Sequence, residues 1–374
     1  MKLDDEQPQE WFPAPAYTDD TYARRGEPTT LWLQRSTVAR AVAYRRFLNE
    51  NLAVLPRAHQ SVLYQALHDR WHSAFFELIV ARTLQVLGAD IEVEPDSEAG
   101  TRIDFLACFP DRTVSVEAVA PVINAAAGEE AKRRNPLLDV IDSLAPPGWT
   151  ILVVELPNLG PSDSKKRFKE AVKDLLDGQK WPETGSGSKN LIAELPSGRV
   201  HLCLLPQRSS GASARPAVGS EPPLTTWNNS EQRIRRAVKQ KRRQGRNADA
   251  PALLAIHATG ISSSFEDFDL ALYGREVAIF DVEDARITGT KFETDGEFNK
   301  GSGAPTWAAV LAFVNVDFPG GPEPVLYSHP RFRGDLPESL SSIERRTYDH
   351  QTGAVVVQPS QKAGFFKQLG FVSV

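Results

Sequence analysis

A helix followed at once by three short strand-like runs constrains the fold of this chain more than any other feature. Apolar residues recur at helical spacing over residues 73–87, and Gly88 stands where a helix commonly ends. Runs rich in strand-forming residues follow at 91–94, 102–109 and 113–119, and Pro, Asp and Gly residues between them favour turns. The order predicts a helix followed by a β-meander.

Helix-like and strand-like segments continue to alternate as far as about residue 260. Helices are predicted at 30–51, 58–69, 129–144, 164–176 and 230–244, and strands at 150–156, 200–205 and 252–257. Such alternation is typical of an α/β protein with a mixed central β-sheet flanked by helices. We predict a flexible arm with N-terminal helices over 1–72, the α/β core over 73–260, and a C-terminal α/β extension packed on it over 261–374.

Composition excludes several classes of protein. Of the 374 residues, 41% are hydrophobic and 24% are charged, which is typical of globular proteins. The apolar stretches are far shorter than the roughly 20 residues that a membrane-spanning helix needs, so we expect a cytoplasmic protein with no membrane partner. Cys108 and Cys203 each lie in an apolar run, and we expect both to be reduced core residues rather than a disulfide.

Three acidic residues lie at sequence positions that are otherwise apolar. Glu77 shares its helix face with small and apolar residues, and Asp104 and Glu117 each lie within a strand-like apolar run. A carboxylate in such a place loses hydration, which is costly unless a hydrogen bond, a cation or a metal compensates. Taken singly, each acid is as consistent with an ordinary ion pair. Their helix–strand–strand order favours a shared site.

Phosphodiester hydrolysis requires oxygen ligands for one or two Mg²⁺ ions, which activate water and neutralise charge on the scissile phosphate. Adjacent strands lie about 5 Å apart, so Asp104 and Glu117 could reach one ion. Glu77 on the preceding helix could supply a third ligand, either directly or through water. We therefore predict a Mg²⁺ or Mn²⁺ site at these three residues.

The segment 73–157 resembles the PD-(D/E)xK nuclease superfamily, with Glu77 in the first helix, Asp104 in the second strand and Glu117 in the third. The resemblance implies a restriction-endonuclease-like core, a hydrolase activity and DNA binding. Later segments, among them 326–330 with its Tyr-Ser-His-Pro run, resemble a group of bacterial proteins with this core. The chain departs from the family pattern at Val119, where the family has lysine, and at Ile103, where proline precedes the acid.

The missing lysine has two explanations: another cation replaces it, or hydrolysis has been lost. Ile234, Ala237 and Val238 define the sheet-facing side of the helix 230–244, and Lys241 continues that side by helical spacing. Lys241 is the first candidate for the missing catalytic cation, and Lys132 is the second. An alternative for Lys241 is that its stem merely lies along the end of the helix.

Basic residues concentrate on the same helix. Glu231 is the only acidic residue between Ser230 and Arg246, although the whole chain has a net charge of −5. A positive surface of this kind is typical of phosphate contacts. The predicted nucleic-acid-binding residues are Arg233, Arg235, Arg236, Lys239, Arg242 and Arg243.

Two functions follow, and the sequence leaves both open. The first is a Mg²⁺-dependent nuclease that hydrolyses phosphodiester bonds in DNA, or less readily RNA, with Glu77, Asp104, Glu117 and Lys241 as catalytic residues. The second is a catalytically inactive nucleic-acid-binding or assembly module with the same fold. Either is compatible with a homodimer. A small-molecule α/β enzyme is disfavoured because the sequence has neither a glycine-rich phosphate loop nor a nucleophile motif.

Overall fold

The computed structural model describes residues 10–21, 23–95, 103–121, 125–146, 149–159, 164–177, 179, 188–206, 217–220, 229–246, 250–259, 263–283, 286–300, 304–316 and 323–361. Contacts divide the chain into two compact units. The first comprises Met1–Tyr22, Pro28–Ile123 and Asn228–Val374, and the second comprises Ala23–Glu27 and Asn124–Trp227. The division differs from the predicted boundaries after residues 72 and 260, since the second unit interrupts the predicted core.

The elements confirm an α/β protein with a mixed sheet and flanking helices. The helices are α1 (Thr29–Arg35), α2 (Ala39–Ala53), α3 (Arg57–Asp69), α4 (Trp71–Val86), α5 (Ala125–Leu144), α6 (Lys165–Leu176), α7 (Ser230–Gln240), α8 (Arg242–Arg246) and α9 (Phe265–Leu272). The strands are β1 (Asp90–Val93), β2 (Phe105–Cys108), β3 (Thr113–Val119), β4 (Trp149–Glu155), β5 (Lys189–Leu195), β6 (Gly198–Pro206), β7 (Ala217–Ser220), β8 (Ala252–Ala258), β9 (Glu276–Asp281), β10 (Arg286–Phe292), β11 (Ala309–Val314), β12 (Val325–Ser328), β13 (Glu344–Asp349) and β14 (Ala354–Gln358). A 3-10 turn covers Glu338–Ser342.

The first unit contains an eight-stranded sheet with the order β1-β2-β3-β8-β11-β12-β13-β14. Strands β1 to β3 form the predicted antiparallel meander. Strand β8 then lies parallel to both β3 and β11. Because β8 hydrogen-bonds to strands on both sides of residue 260, one sheet continues through the position where the sequence predicted a boundary.

Apolar side chains cover both faces of this sheet, and every residue of β8 is buried. Leu253 and Ala255 join the apolar cluster that contains the residues of α4, whereas Leu254 and Ile256 join the cluster of α7 and α9. Alternate residues of a strand point to opposite faces. A strand between two helical layers has both faces buried, which explains the apolar run at 252–256. His257, which follows it, is a buried polar residue whose Nε2 accepts a hydrogen bond from the Val316 N–H at 3.1 Å.

The predicted N-terminal helix at 30–51 is two helices, because the chain becomes extended at Ser36 (φ −84°, ψ 137°). The buried Arg45 of α2 stabilises this break. Its guanidinium donates hydrogen bonds to the carbonyl oxygens of Leu33 at 2.6 Å and Ser36 at 2.7 Å. A helix leaves its last carbonyls without partners inside the helix, and Arg45 satisfies them across the turn.

The second unit has a sheet and an apolar core of its own. Its strands lie in the order β5-β6-β4-β7, and α5 and α6 contribute to the same apolar cluster as β4 and β6. Trp149 and Phe168 are among its fully buried side chains. The sequence predicted β4, β6 and both helices but missed β5, whose residues alternate between exposed and partly buried.

The two cysteines are less buried than expected. Cys108 is a free, exposed cysteine at the end of β2, and Cys203 is free and partly buried, so the expectation that both are core residues was wrong. Cys108 is exposed because it is the last residue of its strand and the burial of β2 alternates. Within the described part of the chain, no helix has the length and apolarity needed to cross a membrane.

Candidate functional site

The antiparallel meander brings Asp104 and Glu117 together. Phe105 pairs with Val116 in the register of β2 and β3, so the next position along places Asp104 opposite Glu117. Side chains of directly opposed residues lie on the same face of a sheet. Asp104 is held there because its Oδ2 accepts a hydrogen bond from the backbone N–H of Ala118 at 2.7 Å.

Glu117 is almost completely buried, with 3% of its surface exposed. Its Oε1 accepts a hydrogen bond from Lys241 Nζ. Its Oε2 is buried and has no hydrogen-bond partner among the described residues. Burial raises the pKa of Glu117, while the hydrogen bond and the charge of Lys241 act in the opposite direction. A buried carboxylate oxygen without a partner is costly, and this oxygen is therefore suited to binding a cation.

The carboxyl group of Asp104 is protonated more readily than that of an ordinary aspartic acid. Burial raises its pKa to about 7, and the negative charge of Glu117 adds to the increase. The Ala118 N–H and the Lys241 ammonium oppose it, while Glu77 contributes a smaller increase. Because the Glu117 carboxylate raises the pKa of Asp104, a positive charge close to both groups favours the form in which both are ionised.

Glu77 lies close enough to influence Asp104 but has a different partner. Arg70 Nη1 contacts Glu77 Oε1 at 2.5 Å, and Arg70 Nη2 contacts Oε2 at 3.3 Å. Arg70 directly precedes α4, and Glu77 lies two turns into it. Residues seven apart share a helix face, so this arginine could have been found from its spacing to Glu77. Arg70 was not among the predicted site residues.

Arg70 also faces other acids of the site. Its pKa is raised, first by the hydrogen bond to Glu77 and less by the charges of Asp104 and Glu94. Glu94 has a left-handed backbone (φ 48°), and its N–H donates to the carbonyl oxygen of Asp104 at 2.9 Å. Across the described residues, no three His, Cys, Asp or Glu side chains form a group that could hold a metal ion. The geometry therefore offers two carboxylates, with Glu77 held by Arg70 beside them.

Lys241 reaches Glu117 from the C-terminal end of α7. Ile234, Ala237 and Val238 are buried, as the helical spacing predicted, and they pack against the same face of β8 that carries Leu254. Lys241 follows as the C-cap residue. Val119, at the family's lysine position, packs partly buried against that cluster. Lys132, the second candidate, is an exposed residue of α5 in the other unit.

The predicted basic surface of α7 is smaller than expected. Arg233 is buried and donates hydrogen bonds to the Ser230 hydroxyl at 2.8 Å and the Thr259 carbonyl oxygen at 2.6 Å. The prediction that Arg233 faces outward was therefore wrong, because the long side chain satisfies polar groups within its own unit. Arg235 bonds Glu231 at 2.8 Å and the Asp295 carbonyl oxygen at 2.6 Å, which leaves little of it exposed.

The other four basic residues divide into two pairs. Arg236 and Arg243 are exposed and are suited to contacts with phosphate. Lys239 and Arg242 instead approach Glu297, at 3.6 Å and 2.9 Å. Glu297 was not predictable from the sequence, because it lies more than 50 residues further along the chain and belongs to no recognisable motif.

The site thus combines the buried Glu117 and the partly buried Asp104 on opposite positions, a lysine bonded to Glu117, and two exposed arginines, Arg236 on α7 and Arg243 on α8. No protein-family model matches the chain, and no curated protein and no solved structure matches it either.

Proposed function

We propose that this protein is a metal-dependent nuclease that hydrolyses phosphodiester bonds in nucleic acid, preferably DNA. The observation that carries the proposal is the placement of Asp104 opposite Glu117, where the register of β2 and β3 continues by one position. Lys241 Nζ is bonded to Glu117 Oε1, and no described residue hydrogen-bonds to Glu117 Oε2. The order of α4, β1 to β3, α7 and β8 supports a restriction-endonuclease-like core, in keeping with the resemblance to the PD-(D/E)xK superfamily.

The residues present suit a divalent cation. Asp104 and Glu117 supply hard oxygen donors of the kind that Mg²⁺ prefers, and a cation between them would lower both of the raised pKa values. A bound Mg²⁺ supplies an activated water and neutralises charge on the scissile phosphate. Glu77 is proposed to assist through water, since Arg70 occupies its oxygens.

Lys241 takes the part of the absent strand lysine in this proposal. Its ammonium group stabilises the ionised form of Glu117 and has three donors, of which Glu117 Oε1 accepts one. A further N–H can point toward a phosphate oxygen. Arg236 and Arg243 contact the flanking backbone phosphates, a contribution that weakens with added salt.

The alternative is a non-catalytic nucleic-acid-binding module. Two observations favour it: Val119 replaces the strand lysine, and both carboxylate oxygens of Glu77 accept hydrogen bonds from Arg70. A protein of this kind would retain salt-sensitive binding through Arg236 and Arg243 without cleaving its ligand.

A cleavage assay separates the two functions. Single-stranded and double-stranded DNA and RNA are incubated with the wild-type protein in Mg²⁺, Mn²⁺ or a chelator. We expect cleavage that requires the metal, with a loss of at least about 100-fold in Asp104→Asn and in Lys241→Met. Asp90→Asn, which alters an exposed acid on β1, is the matched control and should retain full activity.

Cleavage that survives unchanged in Asp104→Asn would contradict the proposed site. Salt-sensitive binding by a wild-type protein that cleaves none of the substrates would favour the module. The double variant Lys241→Met with Glu117→Gln tests whether Lys241→Met loses activity because it is misfolded. The second substitution removes the buried carboxylate that Lys241→Met leaves without its cation. The double variant should regain stability and remain inactive.

A further inference from the structure

A polar cavity lies in the first unit, outside the acidic site. Its volume is about 170 Å³, several times the roughly 30 Å³ that one water molecule occupies. The residues that matter for its chemistry are Arg242, Glu297, Lys300, Trp307, His329 and Arg331. The cavity is therefore large enough for a small anion and is lined mainly by hydrogen-bond donors.

Positive charge exceeds negative charge in these walls. Glu297 has a fully buried side chain and contacts Lys300 at 2.6 Å and Arg242 at 2.9 Å. Lys239 lies at 3.6 Å from the same carboxylate, and Arg331 contributes a further cation to the lining. One carboxylate neutralises one of these charges, so the surroundings remain cationic and favour an anion.

Trp307 adds a neutral donor for which no described residue serves as acceptor. Its side chain is 3% exposed, and its indole Nε1–H is buried with no hydrogen-bond partner in the described part of the chain. Buried donors are almost always paired, so an unpaired N–H in the wall of a polar cavity points to a missing acceptor. Gly245 leaves room for the ring, because a Cβ at this position would lie 3.0 Å from Trp307 Cε3.

His329 supplies a second neutral donor. Its Nδ1 accepts a hydrogen bond from the backbone N–H of Arg331 at 3.1 Å, so the proton of the neutral ring is on Nε2. Burial lowers the pKa of His329 to about 4, with smaller contributions from the charges of Arg331 and His350. The ring is therefore neutral at physiological pH and presents an N–H of fixed position. The Tyr-Ser-His-Pro run thus carries a polar group of this cavity.

We infer that this cavity is a phosphate-binding site, and that its ligand is a phosphomonoester such as the terminal phosphate of a nucleic-acid strand. A terminal phosphate has three non-bridging oxygens, which can accept from Arg242, Lys300, Trp307 and His329 together. An internal phosphodiester offers only two. The link to a nucleic-acid end rests on the proposed function, since Arg242 directly follows Lys241 of the acidic site; the phosphate site itself does not.

Calorimetric titration with inorganic phosphate tests the site without any nucleic acid. We expect saturable binding to the wild-type protein with a Kd of about 1 mM or below. Lys300→Met should weaken it by at least about tenfold, and Trp307→Phe, which removes only the N–H, by about five-fold. The matched controls are Lys291→Met on β10 and Trp32→Phe, whose Nε1 donates to the Thr21 carbonyl oxygen; both should bind phosphate as the wild type does.

Absence of saturable binding to the wild-type protein would overturn the proposal. So would an unchanged Kd in both Trp307→Phe and Lys300→Met, provided that thermal unfolding shows both variants to be folded. Asp104→Asn should bind phosphate normally, and this separates the outcome from that of the cleavage assay.

A second titration identifies the source of the phosphate. Oligonucleotides of one sequence are compared with a 5′-phosphate, with a 3′-phosphate and with neither. Tighter binding of one phosphorylated form, lost in Lys300→Met, supports a strand end as the ligand. Equal binding of all three overturns that part of the inference and assigns the site to free phosphate or a small phosphomonoester, if inorganic phosphate binds.

Discussion

At the scale of single residues, burial determines the chemistry of the acidic site. Asp104 and Glu117 are ordinary carboxylic acids in the sequence, yet both have raised pKa values in the folded protein. Desolvation is the largest cause for each of them. The same effect operates at His329, where burial lowers the pKa because the charged form of an imidazole is the cation.

The raised pKa of Asp104 predicts how stability depends on pH in the absence of metal. The folded pKa is about 7 against an ordinary value of 3.8, so between about pH 4 and pH 7 the folded protein holds a proton that the unfolded chain has released. The free energy of unfolding should therefore fall as the pH rises through this window. Asp104→Asn cannot titrate and should be more stable than the wild type at pH 8 by about 1–3 kcal/mol, since a tenfold change in proton affinity corresponds to about 1.4 kcal/mol.

Urea unfolding at pH 5 and pH 8 with a chelator present measures this difference. Asp90→Asn is the control for loss of one surface charge. Because Glu117, Glu77 and Lys241 also face Asp104, part of the pH dependence remains in Asp104→Asn. If the stability of Asp104→Asn fell between pH 5 and pH 8 as steeply as that of the wild type, the assignment of the raised pKa to Asp104 would be wrong.

At the scale of elements, the turn after α9 depends on a close backbone contact with the segment after β10. Helix α9 ends at Leu272, and Gly274, two residues further on, has φ +121°. A Cβ at Gly274 would lie 2.0 Å from the carbonyl oxygen of Glu293. The turn after α9 and the segment after β10 can therefore meet only because this residue has no side chain.

Gly274→Ala should destabilise the protein by about 3 kcal/mol or more, because the overlap with Glu293 adds to the backbone strain. Gly88→Ala is the matched control. Gly88 also has a positive φ, of +92°, but a Cβ there would meet nothing within 4 Å, so the expected loss is only about 1 kcal/mol. Chemical denaturation of both variants measures the two losses, and equal losses would show that the contact with Glu293 is unimportant.

At the scale of the whole molecule, the chain has two units, and their apolar cores are composed of different residues. Phe168 is buried in the core of the second unit and Phe268 in a core of the first. Among the described residues, each apolar cluster is composed of residues of a single unit. Local stability should therefore respond to substitutions within the same unit.

Hydrogen exchange of two matched variants tests this separation. Phe168→Ala and Phe268→Ala each remove a fully buried ring, and we expect a loss of about 3–5 kcal/mol for either. Phe168→Ala should accelerate exchange in β4 and β6 but leave β8 protected, and Phe268→Ala should do the opposite. Acceleration of both units to the same extent by either variant would indicate a single cooperative core.

Much of the fold was predictable because local patterns suffice for it. Helix α4, the meander of β1 to β3 and the buried strand β8 follow from periodicity and turn residues. Strands β5, β10, β13 and β14 were missed because their residues are mostly exposed or partly buried. Strand β7 was also not predicted. The division into units was missed because it depends on which strands pair across long stretches of chain.

The sequence by itself determined the α/β class, the order of the meander and the positions of Asp104 and Glu117 within it, since each depends on residues close together in the chain. Only the tertiary structure decided that Lys241, rather than Lys132, bonds Glu117, a contact across 124 positions. It also decided that Arg242 approaches Glu297, 55 positions further along the chain. Ion pairs of this kind form between residues that the fold brings together, and neither periodicity nor spacing encodes which cation a buried carboxylate will meet.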